Sequence, residues 1–131
     1  MVVYYTEKDV LDPRWVDGEA RKAASSFFED ERNAIKSSQL RKFYADVKSL
    51  ERQWQARGGG EDAFAEILPM IKLLKAKSDY AHKRKVVPES FRAWLWKHVD
   101  TINAVRDFRA FLLHFEAVVG FSYGYARGNF A

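Results

Sequence analysis

The sequence predicts an all-α protein, a compact bundle of about five helices. Three observations carry this. From about Glu19 onward, apolar residues recur at the helical period with few interruptions. No strand signal competes: strict alternation over five or more residues is absent, and no Asn-Gly or Asp-Gly turn joins β-branched runs. The periodic stretches are separated by residues that stop or start helices, among them Asp12-Pro13, Gly58-Gly59-Gly60 and Pro88. At 131 residues the chain is expected to form one domain, large enough for a core of its own.

Residues 1–16 read as an N-terminal arm in which Val2, Val3, Tyr4 and Tyr5 form a short extended segment or pack on a partner. Asp12 suits an N-cap and Pro13 the first helical position. Gly18 weakens a helix running straight through. From about Glu19 to Ile35 the pattern is helical, with Ala20, Ala24, Phe27 and Phe28 on the apolar side and Glu29-Asp30-Glu31 on a solvated face. Ser37 or Ser38 is the expected N-cap of the next helix. Its apolar face, Leu40, Phe43, Tyr44, Val47, Leu50 and Trp54, is the cleanest amphipathic pattern in the chain. Gly58 suits the left-handed position that closes it, with the following glycines as a mobile loop.

Phe64 to Lys85 reads as the central helix. Phe64, Ile67, Ile71, Leu74, Ser78 and Ala81 share one face, and a second apolar line runs nearly opposite through Leu73, Ala76 and Tyr80. A helix apolar on two faces is expected to lie between neighbours. Glu61 and Asp62 suit its N-terminus. Pro69 predicts a kink or a fresh start near Met70. Pro88-Glu89 opens a fourth helix with the stripe Phe91, Trp94, Leu95, His98, Ile102 and Val105. A fifth carries Phe108, Phe111, Leu112, Phe115, Val118 and Val119, with a second line at Ala110, Leu113 and Ala117. No Gly or Pro separates these two. Residues 122–131, where Gly alternates with aromatics, read as a frayed tail, the alternative being a stacking surface for bases.

The absence of cysteine excludes disulfides, thiolate metal sites and cysteine nucleophiles, and fits a reducing compartment. No apolar run approaches the roughly 20 residues that span a bilayer, and the start lacks a signal-peptide core. A soluble cytoplasmic protein with no membrane partner is expected. The net charge of +4 is uneven: residues 1–35 hold five basic and eight acidic side chains, so the remainder is strongly basic. Such asymmetry points to a polyanionic partner for the later part.

Catalytic motifs are missing. The three glycines lack the spacing and the Lys-Ser/Thr of a phosphate loop. His82, His98 and His114 fall on three different helices, so no metal, cofactor or catalytic residue is expected. Glu116 sits in an apolar run, and a buried carboxylate there needs a partner. Binding chemistry remains. Arg41, Lys48 and Arg52 recur on one flank of the second helix. Lys72, Lys75, Lys77, Lys83, Arg84 and Lys85 form a second basic group. Cations at helical intervals suit a phosphate backbone, which gives affinity without base readout.

Three stretches carry a resemblance to a known family: SSQLRKFYADVKSLE, FAEILPMIKLLKAKSDYAHKR and FRAFLLHFEAVVGF, in this order and spacing. Over roughly residues 37–121 the chain resembles the small subunit of the type III-A CRISPR effector (Csm) complex. Lys83 stands where that family commonly has a small residue, and Gly120-Phe121-Ser122 where it commonly ends in Ala-Tyr-His. The resemblance implies a helical bundle present in several copies in a ribonucleoprotein for antiviral defence. It implies a non-catalytic subunit that contacts the phosphates of guide RNA and target RNA. Its protein partners would be the backbone subunits, the large subunit and further copies of itself. Two other classes stay open: a protein-only helical adaptor or dimerisation module whose basic charge is incidental, and a helical hydrolase built from scattered His and acidic residues.

Overall fold

The structure, a computed structural model, describes residues 2–126. Among them are five α-helices: α1 (Gly18–Phe27), α2 (Ser37–Ala56), α3 (Glu61–Lys83), α4 (Glu89–Thr101) and α5 (Val105–Ala126), preceded by a 3-10 turn over Pro13–Val16. The described residues contain no strand; Tyr5 and Leu11 make one isolated bridge. None of these helices is long and apolar enough to cross a membrane.

The N-terminal segment packs on this bundle. Val2, Tyr4 and Trp15 are buried, and the Trp15 indole N–H donates to the Val3 carbonyl at 2.9 Å. Asp12 caps the 3-10 turn by accepting from the Arg14 N–H, with Pro13 next to it as expected. Asp17 then breaks the path (φ −131°, ψ −107°), and α1 starts at Gly18.

Helix α1 ends at Phe27, short of the expected Ile35. Asp30 competes for the backbone there: its carboxylate accepts from the Arg32 N–H and from the Asn33 side chain. Such short polar side chains offer the chain an alternative to helix. Ile35 is buried from the returning loop, and its N–H donates to the Phe27 carbonyl. Helix α2 starts one residue earlier than either serine cap allows, with Lys36 as the cap residue and no side-chain cap bond.

The end of α2 is a Schellman closure. Gly59 N–H donates to Trp54 C=O and Gly58 N–H to Gln55 C=O, with Gly58 at φ 111° and Gly59 at φ 70°. The Trp54 indole N–H also donates to Gly60 C=O at 3.0 Å. The glycine loop is thus tied to the helix it follows. Helix α3 runs without a fresh start through Pro69.

Helix α3 does not occupy the centre. It packs on α2 and α4 through Phe64, Ile67, Ile71, Leu74, Ser78 and Ala81, while its second apolar line stays at the surface, with Leu73, Tyr80 and neighbouring Met70 all exposed. The central element is α5, packed on α1, α2 and the 3-10 turn. The physical reason is volume: Phe108, Phe111, Phe115 and Val118 on α5 need cover from several sides, whereas Leu73, Ala76 and Tyr80 sit among lysines that keep their line solvated. Phe115 illustrates the packing, with ring contacts to Tyr44, Trp94 and Phe111 at 5.0–5.6 Å. Leu113, on the second line of α5, is exposed.

The break between α4 and α5 falls at Ile102–Ala104. Asp107 Oδ2 accepts from the backbone N–H of Asn103 and Ala104, which starts α5 without Gly or Pro. Val105 therefore belongs to α5 and not to α4. Helix α5 continues through Ser122 to Ala126, and Tyr125 stacks on Phe28. The rest of the tail, 127–131, lies outside the described residues.

Candidate nucleic-acid interface

The sequence marks nine cations, and the structure sorts them by what they touch. On α2, Arg41 and Arg52 are exposed. They lie about 16 Å apart along the axis at 1.5 Å rise per residue. Lys48, between them, is half-buried and its Nζ sits 2.6 Å from Glu51 Oε1. That hydrogen bond, together with the charges of Glu51 and Glu116, holds the ammonium above its ordinary pKa despite partial burial. The partner stands at i+3 on the same helix. Glu116 is exposed rather than buried, so it needs no compensating ion pair of its own.

On α3, Lys72 and Lys75 face α4. Lys72 Nζ donates to the Val99 carbonyl at 2.8 Å and to Asn103 Oδ1 at 3.2 Å, and burial lowers its pKa. Lys75 pairs with Asp100 and lies 4.9 Å over the Trp96 ring. Arg92 reaches back from α4 to Asp79 at 2.7 Å and covers the same indole at 4.9 Å. This strip joins two helices. Lys77 points the other way, 3.7 Å from Asp46 of α2.

Lys83, Arg84 and Lys85 are exposed at the end of α3. They occupy a second Schellman closure: Val86 N–H donates to Ala81 C=O and Lys85 N–H to His82 C=O. Lys85 stands in the left-handed position at φ 62°, where glycine is favoured. Lys36 N–H donates to Val86 C=O and brings the start of α2 beside this end. The α2–α3 face therefore gathers Lys42, Lys77 and Arg84 around one groove. Lys42 is a contributor that sequence spacing did not single out, because only the antiparallel packing of α2 on α3 places it there.

The histidines are structural in two cases of three. His98 and His114 stack with ring centroids 4.6 Å apart inside the bundle. His114 Nδ1–H donates to the Trp15 carbonyl at 2.5 Å, and its Nε2 accepts from the Trp94 indole at 3.1 Å. His98 Nδ1 lies 2.6 Å from Tyr4 Oη. Burial, then the charges of His114 and Lys97, push the His98 pKa down to about 2. Burial lowers His114 too, opposed by its bond to Trp15. Both rings anchor the N-terminal segment, a role visible only once Tyr4 and Trp15 are in place. His82 lies half-exposed near Glu89. Among the described residues, no group of three His, Asp or Glu is placed to hold a metal ion.

Fold and surface together define a class: a small all-α module whose distinctive chemistry is an exposed basic edge. The family model described as Csm2 Type III-A matches residues 11–127. The chain belongs to that family, the small subunit of the type III-A Csm complex, a CRISPR effector. Neither the curated proteins nor the solved structures contain a significant match to the chain.

Proposed function

We propose that this protein is a non-catalytic RNA-binding structural subunit of the type III-A effector, in contact with the phosphate backbone of guide and target RNA. In this reading it also touches the backbone subunits, the large subunit and further copies of itself. The observation that carries the reading is the sorting of cations. Lys48, Lys72 and Lys75 are engaged by carboxylate or carbonyl groups inside the chain, whereas Lys83, Arg84 and Lys85 project from the end of α3, Arg84 over the exposed Tyr80 ring. Lys85 does so from a backbone conformation that a glycine would hold with less strain. Arg41 and Arg52 extend the positive surface along α2, and Lys77 joins it from α3. Phosphate contact by these six side chains would give affinity with little dependence on base sequence.

The test is a titration of single-stranded RNA across a salt series, with wild type, the R41A/R52A double variant and the K83A/R84A double variant. Expected are similar affinities for RNAs of unrelated sequence. Each double variant should flatten the log K against log salt plot by roughly 1.4, from about 0.7 per single-strand phosphate contact. Absence of RNA binding at low salt, with retained binding to the other effector subunits, would instead favour a protein-only helical adaptor.

A further inference from the structure

The groove between α2 and α3 holds more than charge. It has a volume of about 360 Å³ and is lined by Gln39, Lys42, Asp46, Lys77, Tyr80 and Arg84, with Phe43, Ala76 and Ala81 as its apolar lining. Sites for small ligands start at roughly 300 Å³ and combine an apolar lining with a few polar groups. Tyr80 stands at its edge with 65% of its surface exposed, the highest value among the large hydrophobic side chains of the described residues. The Arg84 guanidinium lies 5.4 Å from the Tyr80 ring centroid.

Tyr80 stands in the last turn of α3, and with most of its ring surface in solvent it gains little from the core. Aromatic surface flanked by cations matches one chemistry well. A nucleotide has a flat π-face that stacks on tyrosine, a base edge that takes hydrogen bonds, and a phosphate that attracts lysine and arginine. The groove offers all three kinds of partner. Tyr80 supplies the ring, and Arg84 lies over one side of it as a planar cation, so a base would stack on the remaining exposed ring surface. Gln39 brings a side-chain amide, both donor and acceptor. Asp46 lies 3.7 Å from Lys77, so Lys77 enters the groove with its charge partly balanced, while Lys42 and Arg84 leave the groove positive overall.

We infer that the α2–α3 groove is a nucleotide-stacking site in which an unpaired base of single-stranded RNA lies on Tyr80, with its phosphates toward Lys42 and Arg84. The inference rests on the RNA-binding reading and adds a base contact to a surface otherwise expected to hold phosphates alone. It commits to a nucleic acid occupant because an apolar partner helix would leave Lys42 and Arg84 facing hydrophobic surface, and burying charge without a compensating anion is costly.

The experiment uses the full chain and two probes: a single-stranded oligouridine and an abasic oligonucleotide of equal length, which keeps the phosphates and lacks the bases. Wild type, Tyr80→Ala and Tyr80→Trp are compared. Tyr80→Ala should weaken binding to oligouridine by about 5- to 100-fold, the range for removing one base–aromatic stack, and leave its salt slope unchanged. Abasic oligonucleotide should be bound equally by wild type and Tyr80→Ala, and Tyr80→Trp should keep oligouridine affinity. A 2-aminopurine placed in the RNA should be quenched by wild type and less by Tyr80→Ala. Equal oligouridine binding by wild type and Tyr80→Ala overturns the stacking site and leaves the phosphate reading intact. Failure of wild type to bind either probe at low salt overturns both. Tyr80 is exposed, so unchanged thermal unfolding of Tyr80→Ala is expected, and a large loss of stability would itself contradict the assigned surface role.

Discussion

Lys85 combines a backbone cost with an exposed charge, and replacing it separates the two. Its φ of 62° places a Cβ-bearing residue in the left-handed region at the end of α3. That conformation costs a non-glycine residue roughly 1–2 kcal/mol. Glycine removes the steric term but gains freedom in the unfolded chain, worth roughly 0.5–1 kcal/mol. The difference is a net stabilisation of roughly 0.5–1 kcal/mol for Lys85→Gly, or about 2–4 °C in the thermal midpoint of a chain this size. Lys85→Ala is the control, since it removes the ammonium and keeps the strain. It should unfold close to wild type. If Lys85 meets a phosphate, both variants should lose the same RNA affinity and flatten the salt slope by about 0.7. The assay is thermal unfolding by circular dichroism, paired with RNA titration over a salt series. A Lys85→Gly midpoint at or below that of Lys85→Ala would refute the strain argument. Equal RNA affinity of all three proteins would remove Lys85 from the contact surface.

The core makes a second expectation: Phe43→Ala, Leu74→Ala and Phe115→Ala should each destabilise by about 2–5 kcal/mol in urea unfolding, with Phe115 at the upper end because three rings close on it. Unchanged midpoints would mean the apolar faces are misplaced. The buried imidazoles make a third. His98 and His114 are held neutral in the fold, while in the unfolded chain they protonate below about pH 6.5. The unfolded state then binds more protons, so stability falls as pH falls, by about 1.4 kcal/mol per pH unit for each ring that stays neutral. Lys97, with a positive charge, opposes protonation of both rings, and Glu19 favours it for His114. Urea midpoints between pH 7.5 and 5 should drop accordingly, and a flat profile would place the rings in contact with water.

Much of this protein is legible one helix at a time. The period of apolar residues depends on local geometry, so the faces of α2, α4 and α5 follow from spacing, and Gly58 follows from the left-handed turn it makes. The family match rests on the same kind of local pattern. What spacing does not report is which helix another helix meets. Two apolar lines on Phe64–Lys85 look like a buried centre, yet the larger rings of α5 take that place and leave Tyr80 in solvent. The cations show the same division. Along the sequence Lys72, Lys75 and Arg84 are equivalent positive charges. In the folded chain Lys72 and Lys75 reach Val99, Asn103 and Asp100 of the α4 end, while Arg84 lies on Tyr80 beside Lys42. The partners stand 25 to 31 residues away along the chain in the hydrogen bonds of Lys75 and Lys72. A periodicity of 3.6 cannot encode contacts at that separation, because they depend on how whole faces dock.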